Sequence, residues 1–315
     1  MSIDLQQIAR ECLVGLGKAN QQTIDAINSL ETKYDIEDLV IIYGYLLQKE
    51  NECKILAHIV RCLDKVRSEV TFDVLLNIVL SRGRFEEFSK TNDDFMNVRI
   101  LAIKALANLK DTRAVTHLLN CLNNKNENYK IRLTCADALG KIGDKYAVMP
   151  LINVVTDETE KSSYVRESAA TALGMIGDMR AVESLVSILE TKKGFIDKFT
   201  FLKERVIEAL GKFSFTNERM IKALRNSLLD ESPQIRINAI EALMNSDDER
   251  APELIKTMLK DKDLEVVKNA VIALYNICGA DILFEILSTP SYSEYCKSEA
   301  QFLLDEYESD DEYEI

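Results

Sequence analysis

Between Val98 and Ile277 the apolar positions fall into one register six times over. Each unit runs apolar residue, usually Arg, two variable residues, a small residue, and then Ala-Leu at positions eight and nine. The units begin at Val98, Ile131, Val165, Leu202, Ile235 and Val266, at steps of 33, 34, 37, 33 and 31 residues. Position eight is Ala105, Ala138, Ala172, Ala209, Ala242 and Ala273; position nine is Leu106, Leu139, Leu173, Leu210, Leu243 and Leu274. Apolar positions one, five, eight, nine and twelve return to one face of a 3.6-residue helix. Gly143 and Gly177 supply stop signals after two of these helices. A second amphipathic stretch follows, as in Ala181, Val182, Leu185, Val186 and Leu189. Each unit is therefore predicted to be two antiparallel helices joined by a tight turn. A period of this length predicts an all-α solenoid, in which each unit buries its apolar face against its neighbours.

The pattern decays at both ends. A degenerate unit near Ile55 keeps Cys62, Leu63 and Val66 at positions eight, nine and twelve, and another near Cys296 keeps Ala300 and Leu304. Atypical terminal units are expected where one face meets water. The predicted organisation is a helical cap over 1–35, a solenoid of about eight units over 36–304, and an acidic disordered tail over 305–315. Those last eleven residues carry seven acids and no base, so the net charge of −13 falls to about −6 for the remainder.

Arg99, Arg132, Arg166 and Arg236 recur at position two, and Asp111, Asp144, Asp178 and Asp248 at position fourteen. The fixed register predicts that each Arg pairs with the position-fourteen Asp of a neighbouring unit. The acidic balance counts against nucleic acid, which requires a basic face. Seven scattered cysteines without Cys-x-x-Cys, no opening signal peptide and no long apolar run lead us to expect a reducing, cytoplasmic setting and no membrane. Cys135 occupies position five, where Ala102, Ala169, Ala239 and Ala270 stand in other units, and reads as a small buried residue.

VRESAATALGMIGDMRAVESLVSIL, from Val165, and IRLTCADALGKIGDKYAVMPLINVV, from Ile131, resemble HEAT-type repeats of the phycobilisome-lyase subclass. The resemblance extends from about Ile36 to Leu304. It implies a right-handed α-solenoid of HEAT-like helix pairs whose first helix lines the concave side, and it leaves function open.

Positions three, seven, ten and eleven of that helix are predicted to point outward. They present an acidic band (Asp137, Glu167, Glu204, Glu208, Glu241) among apolar groups (Ile100, Leu133, Met175, Ile237, Ile272), with Lys104 and Tyr275 on the same face. Such mixed surfaces suit protein binding. Three long turns, Arg82–Phe95, Asp157–Tyr164 and Thr191–Thr200, are expected to project from one edge. Phe85 and Phe88 in the first, with Lys192, Lys193, Phe195 and Lys198 in the third, are candidate contacts.

Chemistry is sparse. His58 precedes Ile59 and His117 precedes Leu118, so the His-Glu pairs that hold iron in HEAT-type hydroxylases are absent. No His-x-x-x-His, Cys-x-x-Cys, phosphate loop or nucleophile elbow occurs, and neither a metal nor a cofactor is expected. A HEAT-like DNA glycosylase would present a basic concave surface with Trp, and this chain has no Trp. A bilin lyase-like, tetrapyrrole-handling subunit would use an acidic donor that the band could supply. The expected function is non-enzymatic: binding a basic protein along the concave face and long-turn edge, as a scaffold, an adaptor or an immunity-type inhibitor.

Overall fold

The structure is a computed structural model that describes residues 5, 7–9, 20–91, 93–190, 200–213 and 217–311; at 20, 88, 90, 91, 200 and 307–311 the backbone alone is described. The chain divides into two compact units, residues 1–147 and 148–315. All regular elements among the described residues are helical.

The first unit contains α1 (Asn20–Asn28), α2 (Ile36–Lys49), α3 (Cys53–Val66), α4 (Phe72–Val79), α5 (Phe85–Thr91), α6 (Phe95–Leu109), α7 (Ala114–Asn123) and α8 (Tyr129–Ile142). Helices α3, α6 and α8 carry the repeat motif and pack in that order, α3 on α6 and α6 on α8. Helix α4 backs α6, α7 backs α8, and α1 and α2 cover α3. The second unit contains α9 (Val148–Thr156), α10 (Ser163–Ile176), α11 (Val182–Glu190), α12 (Thr200–Leu210), α13 (Glu218–Ser227), α14 (Pro233–Met244), α15 (Ala251–Lys256), α16 (Leu264–Cys278), α17 (Asp281–Ser288) and α18 (Glu294–Asp311). Its motif helices α10, α12, α14, α16 and α18 again stack one on the next, with the intervening helices behind them. Every Ala at position eight and Leu at position nine is buried, as is Cys135. Within each unit this is the stacked-pair arrangement of an all-α solenoid.

Position ten departs from the expected outward placement. A Cβ on Gly174 would lie 2.7 Å from the Cα of Ala209, and one on Gly211 would lie 2.9 Å from the Cα of Ala242. Position ten of one motif helix thus meets position eight of the next, and glycine permits that backbone approach. Gly143 and Gly177 end α8 and α10 in the left-handed conformation, at φ 79° and 67°.

The expected Arg–Asp ladder is also corrected. The position-fourteen aspartates cap their own turns: Asp111, Asp144, Asp178 and Asp248 accept the N–H of Arg113, Tyr146, Arg180 and Arg250 at 2.8–3.0 Å. Three of those turns add the side chain of the same arginine. Three position-two arginines instead cover C-terminal carbonyls of α4, α7 and α9, which have no partner inside those helices, and Arg236 covers carbonyls of the loop after α13. Arg99, Arg132 and Arg166 donate from Nε to the carbonyls of Val79, Leu122 and Val155. Arg236 donates to the carbonyls of Asp230 and Glu231 at 2.8 and 3.2 Å. Acids from the loop before the next motif helix complete two of these sites, Glu127 for Arg99 and Asp261 for Arg236.

Helix α18 continues to Asp311, past the boundary at 305 where disorder was expected. Buried Cys296, Ala300 and Leu304, spaced four residues apart, anchor it. An i,i+4 hydrogen bond from Gln301 to Asp305 extends it. Residues 312–315 lie outside the described residues.

Candidate functional site

In the first unit the motif-helix face is built from α3, α6 and α8. Ile100 and Leu133 are half-buried, while Lys104 and Asp137 are exposed. Asn108 donates to Asp64 at 2.6 Å and accepts from Lys141, so one polar ladder ties all three helices together. Beside it lies a groove of about 510 Å³. Lys54, His58 and Arg61 of α3 form one wall; Ile100 and Leu101 of α6, with Ile24 of α1, supply apolar surface. The His58 ring is anchored to Asn28 Oδ1 at 2.9 Å. Burial, then the charges of Arg61 and Lys65, push its pKa down, favouring the neutral ring. Burial likewise pushes the neighbouring Cys62 thiol up to about 11, so it stays protonated at neutral pH.

Of the groove's residues Ile100 alone was expected from the sequence to be a partner contact, and His58 was weighed there only as a metal ligand. A signal for Arg61 was present, because it occupies the outward position seven of the degenerate unit at Ile55. Lys54 and His58 share its face at i, i+4 and i+7.

In the second unit α10, α12, α14 and α16 present Glu167, Met175, Glu204, Glu208, Ile237, Glu241, Ile272 and Tyr275. Met175 and Glu241 are exposed, and Glu167, Glu208, Ile237, Ile272 and Tyr275 are half-buried. Glu208 accepts from Arg205 at 2.6 Å and from Asn238 at 3.3 Å. Glu204 is not an open contact: only 9% of its surface is exposed. Burial, joined by the charges of Glu208 and Glu167, raises its pKa. The folded state then holds this proton to higher pH than the unfolded chain does, so ionising Glu204 destabilises the fold as pH rises past the ordinary glutamate value of about 4.3. Glu204→Gln is expected to raise the urea midpoint at pH 7, with the gain vanishing as pH falls below that value. An unchanged midpoint at pH 7 would contradict this assignment.

The long-turn edge is corrected at Phe85. The first turn contains α5, which packs on α6, and Phe85 is 6% exposed, stacked on Phe95 with centroids 5.7 Å apart. Arg84 covers its other surroundings and donates to the Leu47 carbonyl at 2.8 Å. Phe88 lies on α5 where the backbone alone is described. Lys192, Lys193, Phe195 and Lys198 lie outside the described residues.

Among the described residues no group of three or more His, Cys, Asp or Glu side chains is arranged to hold a metal ion. No described helix is long and apolar enough to cross a membrane.

Stacked helix pairs with a buried Ala-Leu seam define an α-solenoid repeat protein. The family of HEAT repeats matches residues 125–200 and 197–276, and the PBS lyase HEAT-like repeat matches residues 98–124. Together these cover more than half of the chain, which belongs to the HEAT-repeat family. No curated protein matches it. Among solved structures, the complex of CpcE and CpcF of phycocyanin lyase from Nostoc sp. PCC7120 is 18% identical with a TM-score of 0.48, covering 87% of this chain and 95% of that one. Human deoxyhypusine hydroxylase is 16% identical with a TM-score of 0.35, at 87% and 95% coverage. A designed armadillo repeat protein is 15% identical with a TM-score of 0.29, at 95% and 97% coverage.

Proposed function

We propose that this chain is a non-enzymatic interaction module of the cytoplasm that binds a basic protein through the motif-helix face of its second unit. The observation carrying this reading is the juxtaposition of apolar Met175, Ile237 and Ile272 with the carboxylates of Glu167, Glu208 and Glu241 on neighbouring helices. Apolar groups supply desolvation on contact, and the carboxylates steer and select a cationic surface. A scaffold or adaptor and an immunity-type inhibitor both use such a face. The first binds several partners moderately, the second one partner tightly.

A photo-reactive residue at position 175 would capture the partner, whose affinity is then measured directly. Replacing Glu167, Glu208 and Glu241 by Lys is expected to weaken that complex about tenfold or more while circular dichroism stays unchanged. Wild-type affinity in the triple variant would move the interface off this face.

A further inference from the structure

We propose that the groove between α3 and α6 is a second docking site, one that takes an acidic protein segment with aliphatic or aromatic side chains between its carboxylates. It lies in the first unit, on helices distinct from the face assigned to a basic partner, and its charge is opposite.

The first support is unspent charge. Lys54 and Arg61 are exposed, and among the described residues neither has a carboxylate or hydrogen-bond partner. In the same unit Lys65 is tied to Glu31 at 3.0 Å and Arg113 to Asp111, whereas Lys54 and Arg61 stand together on one face of a groove. Two unpaired cations flanking His58 on one helix face therefore form a cationic wall within the groove. Among the described residues the single acid lining it, Asp94, stands at the start of α6.

The second support is spacing. Lys54 and Arg61 are two helical turns apart, a rise of about 10 Å. That separation exceeds the reach of one phosphate or carboxylate group, which can meet only one of the two cations. A segment in the polyproline II conformation advances about 3.1 Å per residue and repeats every three residues, so carboxylates three residues apart lie on one face and match both cations. The residues between them then face the opposite wall, where Ile24, Ile100 and Leu101 offer half-buried apolar surface. Cation and hydrocarbon together select an acidic segment with apolar anchors over a simple anion or a purely polar acidic run.

The test is fluorescence anisotropy on the full chain with three labelled synthetic peptides of equal length, built from Glu and Leu, Glu and Ser, or Lys and Leu. Saturable binding is expected for the Glu/Leu peptide alone, weakening with added salt. The pair Lys54→Glu and Arg61→Glu is expected to weaken it about tenfold or more, since two ion pairs become repulsive. Both side chains are exposed, so circular dichroism should be unchanged. Ile100→Ser should weaken binding by itself. The Lys variant of Glu167, Glu208 and Glu241 should bind the peptide as wild type does, which separates this site from the proposed basic-partner face. Equal binding of the Glu/Ser peptide, preference for the Lys/Leu peptide, full displacement by inorganic phosphate, or indifference to the Lys54 and Arg61 substitutions would each overturn the proposal.

Discussion

Asp261→Ala is expected to destabilise the second unit by about 3–5 kcal/mol, because it strands a buried guanidinium. Arg236 and Asp261 meet at 2.8 Å with side chains only 4% and 9% exposed. The carbonyls of Asp230 and Glu231 still accept from Arg236 after the change, which places the effect toward the lower bound. The aspartate also accepts the N–H of Asp263, so part of the loss is local to that turn. Asp261→Asn separates the two contributions by keeping an acceptor and removing the charge. Urea unfolding followed by circular dichroism reads the stability. Adding Arg236→Met to Asp261→Ala should cost far less than Arg236→Met does in the wild type, because the two side chains act as one unit. Additive losses would show that the pair is not coupled.

Gly174→Ala and Gly44→Ala are expected to act with opposite sign. Both glycines lie within helices, where alanine is intrinsically better by about 1 kcal/mol. Gly44 has nothing within 4 Å of an added Cβ, so Gly44→Ala should gain about that amount. At Gly174 the added carbon would meet the Cα, Cβ and carbonyl oxygen of Ala209 at 2.7, 2.9 and 3.1 Å. Two of those atoms are backbone, so α10 and α12 must separate. Overpacking of this kind costs about 1–3 kcal/mol and outweighs the propensity gain. A net loss of about 1–2 kcal/mol is expected in the same urea assay. Stabilisation by Gly174→Ala would mean that these two helices do not approach as described.

The residues most legible in the sequence were those whose role repeats. Ala172 and Leu173 recur with fixed partners in every unit, so their burial followed from period alone. Recurrence located Arg236 and Asp248 equally well but did not reveal what each one touches. An arginine at a fixed register answers to whatever unpaired acceptors lie near it, and for Arg236 these were carbonyls of the loop after α13. The Asp-x-Arg spacing of Asp111 with Arg113, Asp178 with Arg180 and Asp248 with Arg250 was the overlooked sign that the aspartates cap their own turns. Position ten was misread for a related reason. Gly174 has no side chain to declare a face, and its contact exists only because Ala209 on another helix is equally small.

The candidate surfaces show the same division. The acidic band was readable because Glu167, Glu208 and Glu241 recur at outward positions of regular units. Glu204 stands at an outward position too, yet it is buried, which its place in the repeat does not disclose. The cationic groove was missed because α3 belongs to a degenerate unit and because its apolar surface includes Ile24, far away along the chain.

Period and residue type alone thus determined that the chain is made of helix pairs and which faces they bury. Tertiary structure alone decided which buried charges are paired, how closely backbones approach and which outward residues are accessible. The first set depends on side-chain direction within one helix, which 3.6-residue geometry imposes. The second depends on distances between helices, which arise only once neighbouring surfaces have packed.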